Sequence, residues 1–138
     1  MGKTISPLKI ETTTQELVDK IYPHILPISD PRSVFGFNLW FKQSPISVYM
    51  RQGRRVNKDT REYVYTLEIA SIDVKTPKKG YFTSFLNQME KVAAKRGLNI
   101  LIENVHNEHL QEFLQRRGYS LYDIPGDMSG WPPTYWRI

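Results

Sequence analysis

Apolar positions along this chain change period several times, and each change marks an element. Leu17, Val18, Ile21 and Ile25 recur at helical spacing, with Thr13 and Glu16 forming a capping-box pattern ahead of them. Before that helix, Ile5 to Ile10 reads as a short edge strand. Pro23 and Pro27 stop or bend the helix, because proline removes a backbone donor and crowds the preceding turn. Ser29-Asp30-Pro31 reads as a loop. Three strand-like segments follow: aromatic-rich Val34 to Phe41, β-branched Ile46 to Arg51, and Tyr63 to Val74 (YVYTLEIASIDV). The first of these alternates poorly, which leaves a helix open as a second reading. Gln43-Ser44-Pro45 and Asn57-Lys58-Asp59 supply turn chemistry between them, so an antiparallel meander is the economical arrangement.

The period then switches to that of a helix at Phe82, Phe85, Leu86, Met89, Val92 and Ala93, with Gly97 placed as a C-terminal cap. Asn99 to Val105 (NILIENV) reads as a buried strand, and Leu110, Phe113 and Leu114 mark a second amphipathic helix. Short strands at Tyr119–Ile124 and Thr134–Ile138 flank a loop rich in glycine and proline. The expected fold is a mixed α/β sheet: an antiparallel meander, then helix–strand–helix, then a C-terminal hairpin. No repeat, low-complexity tract or linker interrupts it, and 138 residues fit one domain spanning 1–138.

Composition narrows the class. Hydrophobic residues make up 40% and aromatic residues 12%, which argues for a folded domain. No apolar run approaches the roughly 20 residues of a membrane-spanning helix. The start, MGKTISPLKIE, lacks the apolar core of a secretory signal, so a soluble cytoplasmic protein is expected. The absence of cysteine excludes disulfides, thiolate-bound metal and a cysteine nucleophile. Charge is the skewed quantity: 19 Lys and Arg against 14 Asp and Glu, a net +5 with a pI near 9.5. That balance favours an anionic partner, whether nucleic acid, a phosphorylated cofactor or an acidic surface.

Part of the excess lies where a strand meets a helix. Asp73-Val74-Lys75-Thr76-Pro77-Lys78-Lys79-Gly80-Tyr81-Phe82-Thr83 is a strand end, a basic turn with one glycine, and a helix start. Free backbone N–H groups and the positive helix end suit an anion there, while a plain turn with solvated lysines explains the same residues. A second basic group, Arg51, Arg54, Arg55, Lys58 and Arg61, belongs to the meander, flanked by Tyr49 and Tyr63. It suits phosphate contact with base stacking, or simply a charged solvated turn. His106 and His109 with Glu103 and Glu108 invite a metal reading, but capping and surface roles account for them better, and no metal is expected.

Two stretches carry a family resemblance. IDVKTPKKGYFTSFL resembles the acyl-CoA-binding segment (Q/R)-x-x-G-x-(G/A) of GCN5-related N-acetyltransferases, with Gly80 on the middle glycine and Tyr81, Phe85 and Leu86 on apolar helix positions. NEHLQEFLQRRGY resembles the family's N-x-x-A-x-x-L-Y-x-x-x-G-F, with Asn107, Leu110, Phe113, Gly118 and Tyr119 at matching intervals. The two lie in the family's order, one helix and one strand apart, and cover roughly Leu67 to Tyr119. Pro77 stands at the Gln/Arg position, Phe82 at the last Gly/Ala, and Leu114 where many members carry a tyrosine that protonates the leaving thiolate. Tyr81 and Tyr119 are candidate stand-ins for that proton donor, although both equally read as core aromatics.

The resemblance implies a strand before the first motif that splays from the strand after the helix, with pantetheine in the gap. Backbone groups of Ile72, Asp73 and Val74 would pair with it, and N–H groups of Lys79, Gly80, Tyr81, Phe82 and Thr83 would hold the pyrophosphate; Lys78 and Asn107 join the cofactor-binding set. Glu68, which interrupts an apolar strand, is the candidate general base, with Asp73 and Glu103 behind it; the structural alternative is that Glu68 faces solvent or pairs with a meander arginine. Arg54, Arg55 and Trp131 fall on the acceptor side. The implied activity is direct acyl transfer from acetyl-CoA, or another acyl-CoA, to an amine. The rival reading is the same fold with catalysis lost, acting on nucleic acid or a protein through its basic surface. Oligomeric pairing and the identity of the acceptor are left open.

Overall fold

The computed structural model describes residues 7–76, 79–122 and 133–137. Helix α1 (Pro7–Ile21) leads into strands β1 (Phe35–Gln43), β2 (Ile46–Val56) and β3 (Tyr63–Val74). Helix α2 (Tyr81–Arg96), strand β4 (Asn99–Ile102), helix α3 (Glu108–Arg116) and short strands β5 (Ser120–Leu121) and β6 (Tyr135–Trp136) complete it. The strands form one six-stranded sheet in the order β1-β2-β3-β4-β6-β5. Among the described residues only β3 and β4 run parallel, joined by α2 as a crossover helix; the remaining neighbours are antiparallel. This is the mixed α/β meander, helix–strand–helix and hairpin that the hydrophobic pattern predicts.

The chain departs from that pattern at its start. Pro7 to Ile10 are helical, not an edge strand, and residues 5 and 6 lie outside the described residues. Proline is pre-organised for the first helical position, and Ile10, Thr14, Leu17, Val18 and Ile21 then form a single buried stripe. The helix therefore begins six residues ahead of Thr13, and Thr14 turns its hydroxyl back to the Ile10 carbonyl at 3.0 Å. The helix stops at Ile21, where Pro23 falls within a short 3₁₀ turn. The segment expected as strand from Val34 to Phe41 is strand from Phe35 to Gln43, with Val34 ending a 3₁₀ turn ahead of it, and β2 continues five residues past Arg51, because its hairpin partner pairs as far as Val56 opposite Tyr63.

The main core lies between one face of the sheet and the helices. Val48, Met50, Leu67, Ile69, Ile100 and Ile102 meet Leu17 and Ile21 of α1, Phe85, Leu86 and Met89 of α2, and Leu114 of α3. Leu101, on the opposite face of β4, packs instead with Tyr122 and Trp136. Thr14 and Ser84 share a 2.6 Å hydrogen bond that ties α1 to α2. Gly97, at φ 71°, closes α2 and donates to the Ala94 carbonyl at 3.4 Å. β1 is one edge of the sheet and carries Phe35 and Trp40 at 90% and 60% exposure. No helix among the described residues is long and apolar enough to cross a membrane.

Candidate functional site

β3 is three times the length of β4, and that mismatch opens the sheet. Their pairing runs only from Thr66 opposite Asn99 to Ile69 opposite Ile102. The Glu103 amide donates to the Ile69 carbonyl at 3.0 Å as the last rung. Beyond it, Asn104 adopts φ 57°, and Val105 bonds the Pro133 carbonyl at 2.9 Å, which takes the chain away from β3. β3 continues beside β2 to Val74. Among the described residues its other edge, past Ala70, meets no strand. A bulge sits at the same level: Tyr49 pairs with Ser71 and Met50 with Ile69, so Ala70 is an extra residue in β3. Such bulges re-aim backbone groups beside functional clefts.

The fork encloses a cleft of about 440 Å³, lined by Ala70, Ser71 and Ile72 on one strand and by Glu103, His106 and Asn107 on the other side. Asn107 caps α3, its Oδ1 accepting from the His109 and Leu110 amides at 2.8 and 3.1 Å. Val74 and Ile72 pack against the main core, while Asp73 is exposed. A second concavity, about 620 Å³, lies where the start of α1 meets the start of α2 and is lined by Lys79, Gly80, Thr83 and Lys91. Gly80 takes φ 91° as the N-cap of α2, and among the described residues no side chain caps that first turn. Tyr81 is buried, and Phe82 packs edge-on against Phe113 of α3 with ring centres 6.3 Å apart. The expected site residues thus divide, Ile72 and Asn107 in the fork and Lys79, Gly80 and Thr83 at the helix start. Lys78 and Trp131 lie outside the described residues.

On the sheet face away from the helices, Glu68 is 3% exposed and fully engaged. Arg55 donates to both its oxygens at 2.9 and 2.8 Å, and the Thr66 hydroxyl donates to Oε2 at 2.7 Å. Arg51, directly opposite on β2, places Nε 3.5 Å from Oε1. Both arginines also bond Glu103, Arg55 at 2.9 Å. Burial alone would raise the Glu68 pKa; the bonds from Arg55 and Thr66 and the nearby arginine charges outweigh it and hold the carboxyl below the usual range. Arg55 is correspondingly held above its usual value by its bond to Glu68. The general-base expectation for Glu68 meets a carboxylate already bonded by a meander arginine. The alternative of ion pairing is the geometry observed.

The same network changes the picture of the basic hairpin. Arg51 and Arg55 face two carboxylates, and Arg54 lies over the Tyr63 ring at 3.8 Å. The surface is therefore less cationic than the run of arginines implies. Sequence reasoning missed this cluster as a unit. Its one legible signal was parity, since Arg51 and Arg55 share a face of β2 and Glu68 breaks an apolar strand.

Tyr119, a candidate stand-in for the proton donor, has its hydroxyl engaged elsewhere. It is buried, and its hydroxyl donates to Glu90 at 2.7 Å, in a cluster where Arg117 and Arg137 also reach Glu90. Burial, then the bond to Glu90, pushes its pKa well up. Leu114 lies in the core at 0% exposure. Among the described residues, His106 and His109 join no cluster of metal-ligating side chains.

No family model matches the chain, and no curated protein matches it either. Two solved structures are similar to the chain. One is a protein from Lactobacillus plantarum provisionally described as an N-acetyltransferase: TM-score 0.41, 14% identity, covering 95% of this chain and 90% of that one. The other is Arabidopsis thaliana Naa50 in complex with the bisubstrate analogue CoA-Ac-MVNAL: TM-score 0.42, 14% identity, covering 97% of this chain and 93% of that one. At that level of likeness, the chain's own geometry has to carry any assignment of function.

Proposed function

We propose that this chain is a divergent GCN5-related N-acyltransferase, which moves an acetyl or other acyl group from acyl-CoA to an amine by direct attack. The fork between β3 and β4 carries the reading. Among the described residues it leaves a strand edge without a strand partner along a cleft of about 440 Å³, at the place implied by the ordered pair of sequence motifs. Pantetheine is a chain of amides, so the unpaired edge from Ser71 to Val74 is a chemical match for it. The pyrophosphate belongs at the first turn of α2, where Gly80 keeps the backbone N–H groups uncovered and Lys79 adds charge.

In this reading the thioester carbonyl sits at the closed end of the fork, beside the Ala70 bulge, where a backbone N–H polarises it. A neutral amine attacks, the C–N bond forms, the C–S bond breaks, and the thiolate leaves. Attack places positive charge on the amine nitrogen, and the ammonium proton passes to water. Glu68, bonded by Arg55 and Thr66, takes no part in that proton transfer. With Leu114 buried, the thiolate also takes its proton from solvent, which costs little because a thiol loses its proton near neutral pH.

The test is thiol release from acetyl-CoA in the presence of a panel of primary amines. Release above the hydrolysis background with at least one amine is expected. A chain that binds acetyl-CoA and releases no thiol with any amine would be the binding module instead.

A further inference from the structure

Four charged side chains meet where the two central strands part. Arg51 and Arg55 stand four residues apart on one face of β2, about 14 Å by strand rise. Both converge on Glu68 of β3 and on Glu103, the residue that ends the β3–β4 ladder. Gly53, midway between them on the same face, carries no side chain into this space; a Cβ there would lie 3.9 Å from Glu68 Oε2. Arg55 spans both carboxylates with one guanidinium, through Nε and one terminal nitrogen to Glu68 and that same nitrogen to Glu103. A single planar group thus links β2, β3 and the start of the diverging segment.

Resting on the acyltransferase reading of the cleft, we infer that the Arg51–Glu68–Arg55–Glu103 network is a clamp that sets the angle of the fork and so positions the thioester at its closed end. A salt bridge that only added stability would not need to join two strands to the diverging segment at the point of divergence. Glu103 both closes the network and lines the cleft, so any slackening of the network is felt at the cleft wall. The pyrophosphate end, at α2, is remote from it along the chain and belongs to a different concavity. The clamp therefore acts on placement of the reacting carbonyl and leaves cofactor retention to α2. The four residues are positioning residues.

Arg55→Lys and Glu103→Gln test it. Lysine keeps the charge and loses the planar fork that reaches two carboxylates; glutamine keeps the shape and loses the charge. Both variants should lower kcat by roughly tenfold or more while changing the KM for acetyl-CoA less than about twofold. In the unliganded protein, hydrogen exchange across residues 101–107 should quicken in both. Full activity in Arg55→Lys, or a risen KM with kcat intact, would overturn the clamp. So would unchanged exchange in that segment. The exchange result needs no ligand, so a wild-type chain that never binds acetyl-CoA would remove the acyltransferase reading while the clamp stood or fell separately.

Discussion

Glu68 is the residue whose environment says most about what the fork can do. Two oxygens accept from three donors in a site that water barely reaches, so replacing the carboxylate by an amide leaves Arg51 and Arg55 to share the single charge of Glu103. Glu68→Gln should cost about 3 kcal/mol in denaturant unfolding. Its folded pKa lies below the unfolded value, so the stabilisation is complete above the ordinary glutamate range near about 4.3 and is lost as pH falls through the lower folded value. Wild-type stability should therefore fall more steeply than that of Glu68→Gln as the pH drops below about 4, measured as denaturant midpoints across pH. Equal slopes would mean the carboxylate is not ion-paired in solution. Tyr119 makes the opposite prediction about chemistry. Tyr119→Phe should cost about 1 kcal/mol, through the lost bond to Glu90, and leave thiol release unchanged. A collapse of turnover would restore that phenol to the mechanism.

At the scale of elements, the strands and helices with strong periodicity are legible in the sequence. Tyr63–Val74 is strand over the range its β-branched and aromatic run suggests, and Gly97 ends α2 as its position implies. The start of α1 is not legible, because Ile5 to Ile10 is too short an apolar run to tell strand from helix. Only packing of Ile10 in the stripe with Thr14 and Leu17 decides it. β4 ends at Ile102, short of Val105, for a reason no periodicity contains: Asn104 takes a left-handed turn and Val105 bonds the segment before β6. That early exit is what makes the fork. Asn107 is legible as a motif residue, and its structural work is capping α3 beside the cleft. Asn107→Ala should destabilise the fold by about 1 kcal/mol in thermal or denaturant unfolding; no change would mean that water caps the helix equally well.

Over the whole molecule, the excess of positive charge divides in two. Arg51 and Arg55 turn inward onto Glu68 and Glu103, contacts between residues 13 to 52 positions apart that no local pattern reveals. Lys79 and Lys91 instead border the concavity at the start of α2. That distribution weakens the case for a nucleic-acid surface on the meander and leaves the cationic rim where a phosphorylated ligand would lie. Calorimetric titration of the whole chain with acetyl-CoA tests this most directly. Saturable binding at one site per chain, weakening as salt is raised, is the expected result; no binding at millimolar acetyl-CoA would contradict it.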